Sequence, residues 1–456
     1  MCMLLRRPLL LLFVQVAVLA AGAPAQEARS RPNILLILSD DQGTVDLGAC
    51  GTQDLQTPHL DRLAERGVRF TQFYAAAPVC SPSRAAFLSG RIPQRAGLSG
   101  NVDPNNPDAG LPPSTVTIAE HFRAHGYATA QIGKWHLGHS RERQPTGQGF
   151  DFGFGHLGGC IDNYSHFFYW NGPNRHDLVR NGVEEYHAGE FFPELCVDEA
   201  AAWIRARDEQ PWLMYFAINL PHYPYQGHAR WLDVYEGLPR ARREYAAFLS
   251  TMDETLGRLF AVLREQGIDD ETIIVFQSDH GHSTEQRAFY GGGDAGPHRG
   301  AKFSLLEGGI RVPAIVAGPG VPEGELRGQM ATACDWFPTL CTLAGIPQPT
   351  HALDGRDLQA VLADAAAPTP HEHFFWKNGG QWALRLGKWK LIWNAQDTTD
   401  GRAWKREPGM RLYDLSLDPG ETTDLAAEHP KRVDRLRKLA QEWDPTIRYE
   451  LEEKKE

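Results

Sequence analysis

Pro32-Asn33-Ile34-Leu35-Leu36-Ile37-Leu38-Ser39-Asp40-Asp41 is a near-unbroken apolar run that ends abruptly in two carboxylates. A run from Asn33 to Leu38 without polar alternation reads as a strand covered on both faces, as strands of parallel sheets are. The same grammar recurs along the chain. Tyr127–Ile132 leads into Gly133-Lys134-Trp135-His136, and Trp212–Asn219 into Leu220-Pro221-His222. Thr272–Gln277 leads into Ser278-Asp279-His280-Gly281, and Val312–Ala317 is a fifth apolar run. Helical patterns fall between these runs: one begins at Thr57-Pro58 and ends at Gly67, one runs from Thr117 to His125, and a long one from about Arg240 to Gln266. The alternation predicts an α/β fold with a large, mostly parallel central sheet flanked by helices. In such sheets ligands gather outside the carboxyl ends of the strands, where the four polar groups fall.

Beyond an Ala-, Asp- and Pro-rich connection from about Leu353 to His371, Trp382–Trp393 and Arg411–Leu415 read as strands of a small antiparallel sheet, followed by a helix from Lys431 to Trp443. The division expected is a signal peptide over 1–25, a catalytic domain over 30–365 and a C-terminal subdomain of antiparallel sheet plus helix over 366–456. In the signal, Arg6 and Arg7 form the basic region, Leu9 to Ala20 the apolar one, and Ala23-Pro24-Ala25 the small-residue cleavage site. That predicts export, to a periplasm or the exterior. The apolar stretch is short for a membrane span and no second candidate follows.

The chain has 456 residues, 42% of them hydrophobic and 23% charged, enough for a large core and too balanced for a disordered chain. A net charge of −11 excludes a nucleic-acid binder that works through a basic surface. It does not exclude a small anionic substrate, which a local cluster of cations can hold. Cysteine is sparse, 7 in all, so the fold rests on its core. Cys334 and Cys341 fall on one expected helix, about 10 Å apart along its axis and too far to bridge. Cys160 with Cys196 is left as an open pairing.

Cys80-Ser81-Pro82-Ser83-Arg84 lies within AAAPVCSPSRAAFLSGR, from Ala75 to Arg91. Pro82 suits the first turn of a helix and Gly90 its left-handed end, so Cys80 is expected just before a helix N-terminus, facing unpaired amides. Arg84 follows about one turn later, close enough to share an anion. An isolated cysteine there would be a small buried thiol before an ordinary helix. This one is not isolated. Asp40, Asp41 and Asp279 need a cation or protons to coexist at one place, and a hard divalent ion with oxygen ligands is the simplest answer. His280 adds a nitrogen, which leaves room for Mn²⁺ or Zn²⁺. Arg84, Lys134, His136, His222 and Lys302 would form a cationic wall facing that metal, a site for a tetrahedral anion ester.

In family order, PNILLILSDDQG, CSPSRAAFLSGR, GKWHLG, LPHYPY, SDHG, RGAKFSLLEGGIRVP and, near the end, LYDLSLDPGETTDLA make the chain resemble the formylglycine-dependent sulfatases of the alkaline phosphatase superfamily. The resemblance implies a sulfuric ester hydrolase whose Cys80 is oxidised by a formylglycine-generating enzyme to 3-oxoalanine (formylglycine), which hydrates to a geminal diol. It implies that Asp40, Asp41, Asp279 and His280 hold one divalent ion, expected to be Ca²⁺, together with the modified Cys80. His280 stands where much of the family has Asn, which weakens the case for calcium over other divalent ions. By the same resemblance, a diol oxygen attacks sulfur while Arg84 orients it, and Lys134 and Lys302 stabilise the sulfuryl oxygens. His222 donates a proton to the leaving alcohol, and His136 deprotonates the second hydroxyl so that sulfate is expelled.

The stretch from Gly158 through His166 and on to Pro173 is aromatic and polar together, which suits stacking on sugar rings as well as a loop packed over the sheet. A sulfated carbohydrate is the expected substrate, with Asp162, His166 and Trp170 in its pocket. The acidic surface favours action at chain ends or on short fragments. An arylsulfatase of broad specificity, a phosphonate or phosphate ester hydrolase of the same superfamily, and a non-catalytic glycan-binding relative are the competing readings.

Overall fold

The computed structural model describes residues 31–170 and 174–444; the expected signal peptide and the charged end Glu450–Glu456 lie outside the described residues. A ten-stranded sheet runs through the larger part of the chain. Its strands are β1 (Asn33–Ser39), β2 (Gly67–Phe70), β3 (Ala128–Lys134), β4 (Phe152–His156), β5 (Val179–Arg180), β6 (Val183–Glu184), β7 (Trp212–Ala217), β8 (Thr272–Ser278), β9 (Ala314–Ala317) and β10 (Glu325–Arg327). They lie in the order β10-β2-β9-β8-β1-β7-β3-β4-β5-β6. The middle, from β8 to β4, is parallel throughout. β9, read from the sequence with the buried parallel strands, runs antiparallel to β8 and to β2.

The apolar strand residues explain the layers. Leu35, Ile37, Met214 and Phe216 point to one face, against α4 (Phe192–Arg205) and α5 (Arg240–Glu265). Ile34, Leu36, Leu213 and Tyr215 point to the other, against α2 (Cys80–Ser89), α3 (Ile118–Ala124) and α6 (Trp336–Leu343). The remaining named helix of this domain, α1 (Pro58–Glu65), packs beside α5. A strand with apolar side chains on both faces can only sit inside such a three-layer stack. The connection expected at Leu353–His371 is not a linker: Leu358, Val361 and Leu362 are buried in the same core as Phe337 and Leu340.

The small sheet contains β11 (His373–Asn378), β12 (Gln381–Leu386), β13 (Trp389–Asp397) and β14 (Lys405–Asp414), with α7 (Pro430–Trp443) on one face. The single stretch expected over Trp382–Trp393 is two strands, because Gly387, at φ +57°, allows the chain to reverse there. Phe374 and Trp376 pack toward Tyr74, Leu305 and Ile310 of the larger domain, while Phe375 packs toward Leu436 of α7. This is the period-2 pattern of a sheet covered on both sides. Among the described residues no helix is long and apolar enough to cross a membrane.

Candidate active site

Register builds the site. β1 and β8 pair in parallel with Ser39 opposite Ser278, so the two strands leave the sheet side by side and Asp40 and Asp279 become neighbours. The Asp279 amide donates to the Ser39 carbonyl at 3.0 Å, which extends the ladder one residue past the strand ends. Lys134 closes β3, and its Nζ lies 2.5 Å from Asp40 Oδ2. A Cβ on the preceding Gly133 would sit 2.1 Å from the Ala217 carbonyl oxygen, so the close approach of β3 to β7 requires glycine there.

All ten residues of α2 are buried. Cys80 is its first residue rather than the one before it; extended Val79 is the cap, Pro82 lies within the first turn, and Gly90 ends the helix at φ +63°. Cys80 Sγ is 3.3 Å from His280 Nε2 and 3.9 Å from Asp40 Oδ1. One turn along, Arg84 Nη2 donates to Asp279 Oδ2 at 3.0 Å and lies 3.6 Å from Asp40 Oδ2, and Nη1 donates to the Lys134 carbonyl at 3.2 Å. Asp41, at φ +64°, turns back into the cluster, with Oδ1 3.5 Å from His280 Nε2 and 2.9 Å from Lys302 Nζ.

Donor atoms of Asp40, Cys80, Asp279 and His280 lie within 4.8 Å of one another. Burial pushes Asp41 up to about 7, against Lys302 and His280, and pushes Asp279 up to about 6. Burial would also raise Asp40, but Lys134, His222 and Arg84 overcome it and hold that carboxyl well below the usual range. The Cys80 thiol, opposed by burial, is drawn down to about 6 by Lys134 and Lys302. His280 is pushed up to about 9 by Asp279 and Cys80 despite its burial. Its Nδ1 faces the Gly281 carbonyl at 2.9 Å; since that oxygen can only accept, Nδ1 carries a proton and Nε2 is the atom presented to the carboxylates. A divalent ion would replace the proton on Nε2. Three carboxylates and one imidazole, all buried and converging, therefore fit a hard cation.

His222 and His136 stand on the opposite side. The His222 Nδ1 donates to the Tyr223 carbonyl at 2.6 Å, which leaves Nε2 as an acceptor, 3.6 Å from Asp41 Oδ2. Burial, with Lys302 for His222 and Lys134 for His136, holds both imidazoles well below the ordinary histidine range. Burial works against the charge on Lys302, but Asp41 and Cys80 keep it protonated. A cavity of about 460 Å³ opens above, with Cys80, His136, His222 and Lys302 on its floor and Phe168, Trp170, Tyr223 and Phe303 on its walls.

All of the catalytic and metal-holding residues expected from the sequence thus come together. The expected sugar pocket does not. Of its three residues only Trp170 lines the cavity. Asp162 closes a turn, with Oδ1 accepting from the amides of Tyr164 and Ser165 and Oδ2 from Gln226. His166, at φ +60°, carries its ring inward against His176 and Phe192, where Nε2 meets the Glu190 carbonyl at 3.1 Å. Cys160 and Cys196 are free thiols, one on the cavity wall and the other on the buried face of α4. Tyr223, Phe303 and the rim from Asn101 to Asn105 escaped the sequence reading. Tyr223 and Phe303 adjoin His222 and Lys302, so proximity in sequence was their one available signal.

The sulfatase family model matches residues 32–346. The N-acetylgalactosamine-6-sulfatase of Sus scrofa is 32% identical over 458 residues, covering 92% of this chain and 86% of the relative. Arylsulfatase A of Homo sapiens is 32% identical over 465 residues, covering 92% and 89%. Among solved structures, Ps i-CgsB superposes with a TM-score of 0.81 at 27% identity over 91% of this chain and 93% of that one. Its complex with k-i-k-neocarrahexaose gives 0.80 at 26% identity over 92% and 96%.

Proposed function

The chain belongs to the sulfatase family and is a sulfuric ester hydrolase, and from that premise we propose that it releases sulfate from the ends of a sulfated oligo- or polysaccharide. The observation that carries the reading is Cys80 at the floor of the cavity, 3.3 Å from His280 and ringed by carboxylates and cations. The sulfur of Cys80 stands in for the oxygens of a hydrated formylglycine, made by a maturing enzyme. Asp40, Asp41, Asp279 and His280 would hold the divalent ion, taken as Ca²⁺. The ion supplies charge neutralisation and makes a hydroxyl at position 80 more acidic.

The protein's own side chains do the rest. Arg84, fixed by Asp279 and by the Lys134 carbonyl, orients the group at position 80. Lys134 and Lys302 face the sulfuryl oxygens, where charge grows as sulfur is attacked. His136, neutral and on the cavity floor, accepts the proton that lets sulfate depart. His222 lacks a proton on Nε2 until an anionic ester sits beside it; the arriving negative charge raises its affinity, and the proton then passes to the leaving alcohol with Lys302 alongside.

The carbohydrate reading is supported by the aromatic walls, Phe168, Trp170 and Tyr223, and by the relative whose structure holds a neocarrahexaose. Action on chain ends is supported by the net charge of −11, which disfavours binding along the body of a polyanion. Export rests on the basic and apolar pattern of residues 1–25. The test is sulfate release from sulfated sugars, aryl sulfate and aryl phosphate, with and without chelator, alongside the mass of the Cys80 peptide. Turnover of sulfated sugars, lost on chelation and restored by Ca²⁺, with an aldehyde mass at Cys80, is expected. An unmodified thiol in fully active enzyme, or aryl phosphate as the preferred substrate, would overturn the reading.

A further inference from the structure

The catalytic cavity shares one side chain with a second hollow. Phe303 follows Lys302 directly and lines both. Its conformation is fixed from three directions: φ is +74°, its amide donates to the Pro78 carbonyl at 2.8 Å, and its own carbonyl accepts from Gln381 Nε2 at 2.7 Å. The second hollow, about 320 Å³, is otherwise built from the C-terminal sheet. Trp404 packs 5.4 Å from the Phe303 ring and is 40% exposed. Gln396 and Arg406 are directly opposite each other on β13 and β14, so both project from one face of the sheet into the hollow. Neither side chain has a partner among the described residues. The turn between β11 and β12, Gly379-Gly380, closes the far side, with open space where a Cβ would lie.

A half-exposed indole, the free amide of Gln396 and an unpaired guanidinium in one concavity are what an anionic sugar requires: a face to stack on, a partner for a hydroxyl, and a fork for a sulfate or carboxylate. We propose that this hollow is a second saccharide subsite, which takes an acidic sugar of the same substrate chain while its terminal sulfated residue occupies the catalytic cavity, with Phe303 as the partition between them. The assignment rests on the carbohydrate sulfatase reading. It gives the C-terminal sheet a part in choosing substrate, and it makes the preferred substrate an oligosaccharide with at least two anionic groups.

The test compares a sulfated tetrasaccharide, a monosaccharide bearing the same terminal sulfate, and 4-nitrophenyl sulfate, in wild type, Arg406→Gln and Gly380→Phe. Arg406 is exposed and Gly380 faces open space at ordinary φ, so neither substitution disturbs the core. Each variant is expected to lower the tetrasaccharide-to-monosaccharide ratio of kcat/KM by about 10-fold, Arg406→Gln through KM and with weaker salt dependence than wild type. Ratios unchanged in both variants, with wild type active on sugars, would overturn the subsite and leave the carbohydrate reading standing. Wild-type turnover of 4-nitrophenyl sulfate alone would overturn both.

Discussion

Two buried clusters of charge stand in contrast. One lies at the strand ends: Asp40, Asp41 and Asp279 against Arg84, Lys134 and Lys302. The other joins the two sheets, where Lys390 of β13 lies 2.9 Å from Glu307 and 2.8 Å from Glu421. In that second cluster Glu307 also accepts from the Tyr74 hydroxyl at 2.6 Å, and Glu421 accepts from the Glu307 amide at 2.6 Å. The usual markers of function do not separate the two. Both are fully buried, and both hold a carboxyl pushed up to about 7, Asp41 in one and Glu421 in the other. Both even contain a residue in the left-handed region, with Asp41 at φ +64° and Glu421 at φ +54°. Two differences remain. The strand-end cluster opens on a cavity, and its Asp40 and Asp279 converge with Cys80 and His280 on one point. The joining cluster is closed, with both carboxylates turned on the single amine of Lys390. Perturbed titration and backbone strain mark buried charge; access and convergence mark a site.

The largest effect that would sharpen this contrast is on turnover. Cys80→Ala should cut sulfate release by at least about 10³-fold if position 80 supplies the proposed covalent nucleophile, because its removal leaves only binding and electrostatics. Stability should move by less than about 1 kcal/mol, since one small buried side chain replaces another. A variant that melts far below wild type would show that Cys80 is structural.

Lys390→Met should do the reverse. Removing the cation leaves Glu307 and Glu421 buried side by side, at a cost of about 3–5 kcal/mol. The melting temperature should fall by several degrees while kcat per folded molecule holds, because Lys390 lies outside the cavity. Unchanged stability, or lost kcat in folded protein, would erase the distinction between the two clusters.

The strand-end cluster was legible in the sequence and the joining one was not. Asp40 and Asp279 follow apolar runs whose burial dictates a parallel sheet, and a parallel sheet places strand ends together. Lys390 lies within an amphipathic strand of ordinary composition. Its partners are 83 residues before and 31 after it, brought near only when the small sheet docks through Phe374, Trp376 and Tyr413. Loop geometry hid the rest. Asp162 and His166 have the residue types of a sugar site, yet Asp162 satisfies the amides of its own turn and a positive φ carries His166 inward. The second hollow was out of reach for the same reason, since Gln396, Trp404 and Arg406 are unremarkable surface residues until Phe303 stands beside them.

The smallest effect is also the most direct measure of the joining cluster. Burial raises Glu421 to about 7, against the pull of Lys390, while Lys390 and Arg311 hold Glu307 below the usual range in spite of its burial. A carboxyl whose pKa is higher folded than unfolded binds its proton more tightly in the native state. Its contribution to stability is therefore complete below about 4.5 and is lost as pH rises to about 7; Glu307 has the opposite sign, but its loss falls below about pH 4.5. Between pH 5 and 7 Glu421 is the member of this pair that titrates, and the span from about 4.5 to about 7 sets an upper bound of about 3 kcal/mol. Glu421→Gln keeps the shape and removes the titration. Wild type should then lose stability relative to Glu421→Gln from pH 5 to pH 7, with no further divergence above about 8, as read from denaturant midpoints at each pH. Parallel curves across that window would mean that Glu421 stays ionised beside Lys390, and that the joining cluster carries no proton where the strand-end cluster does.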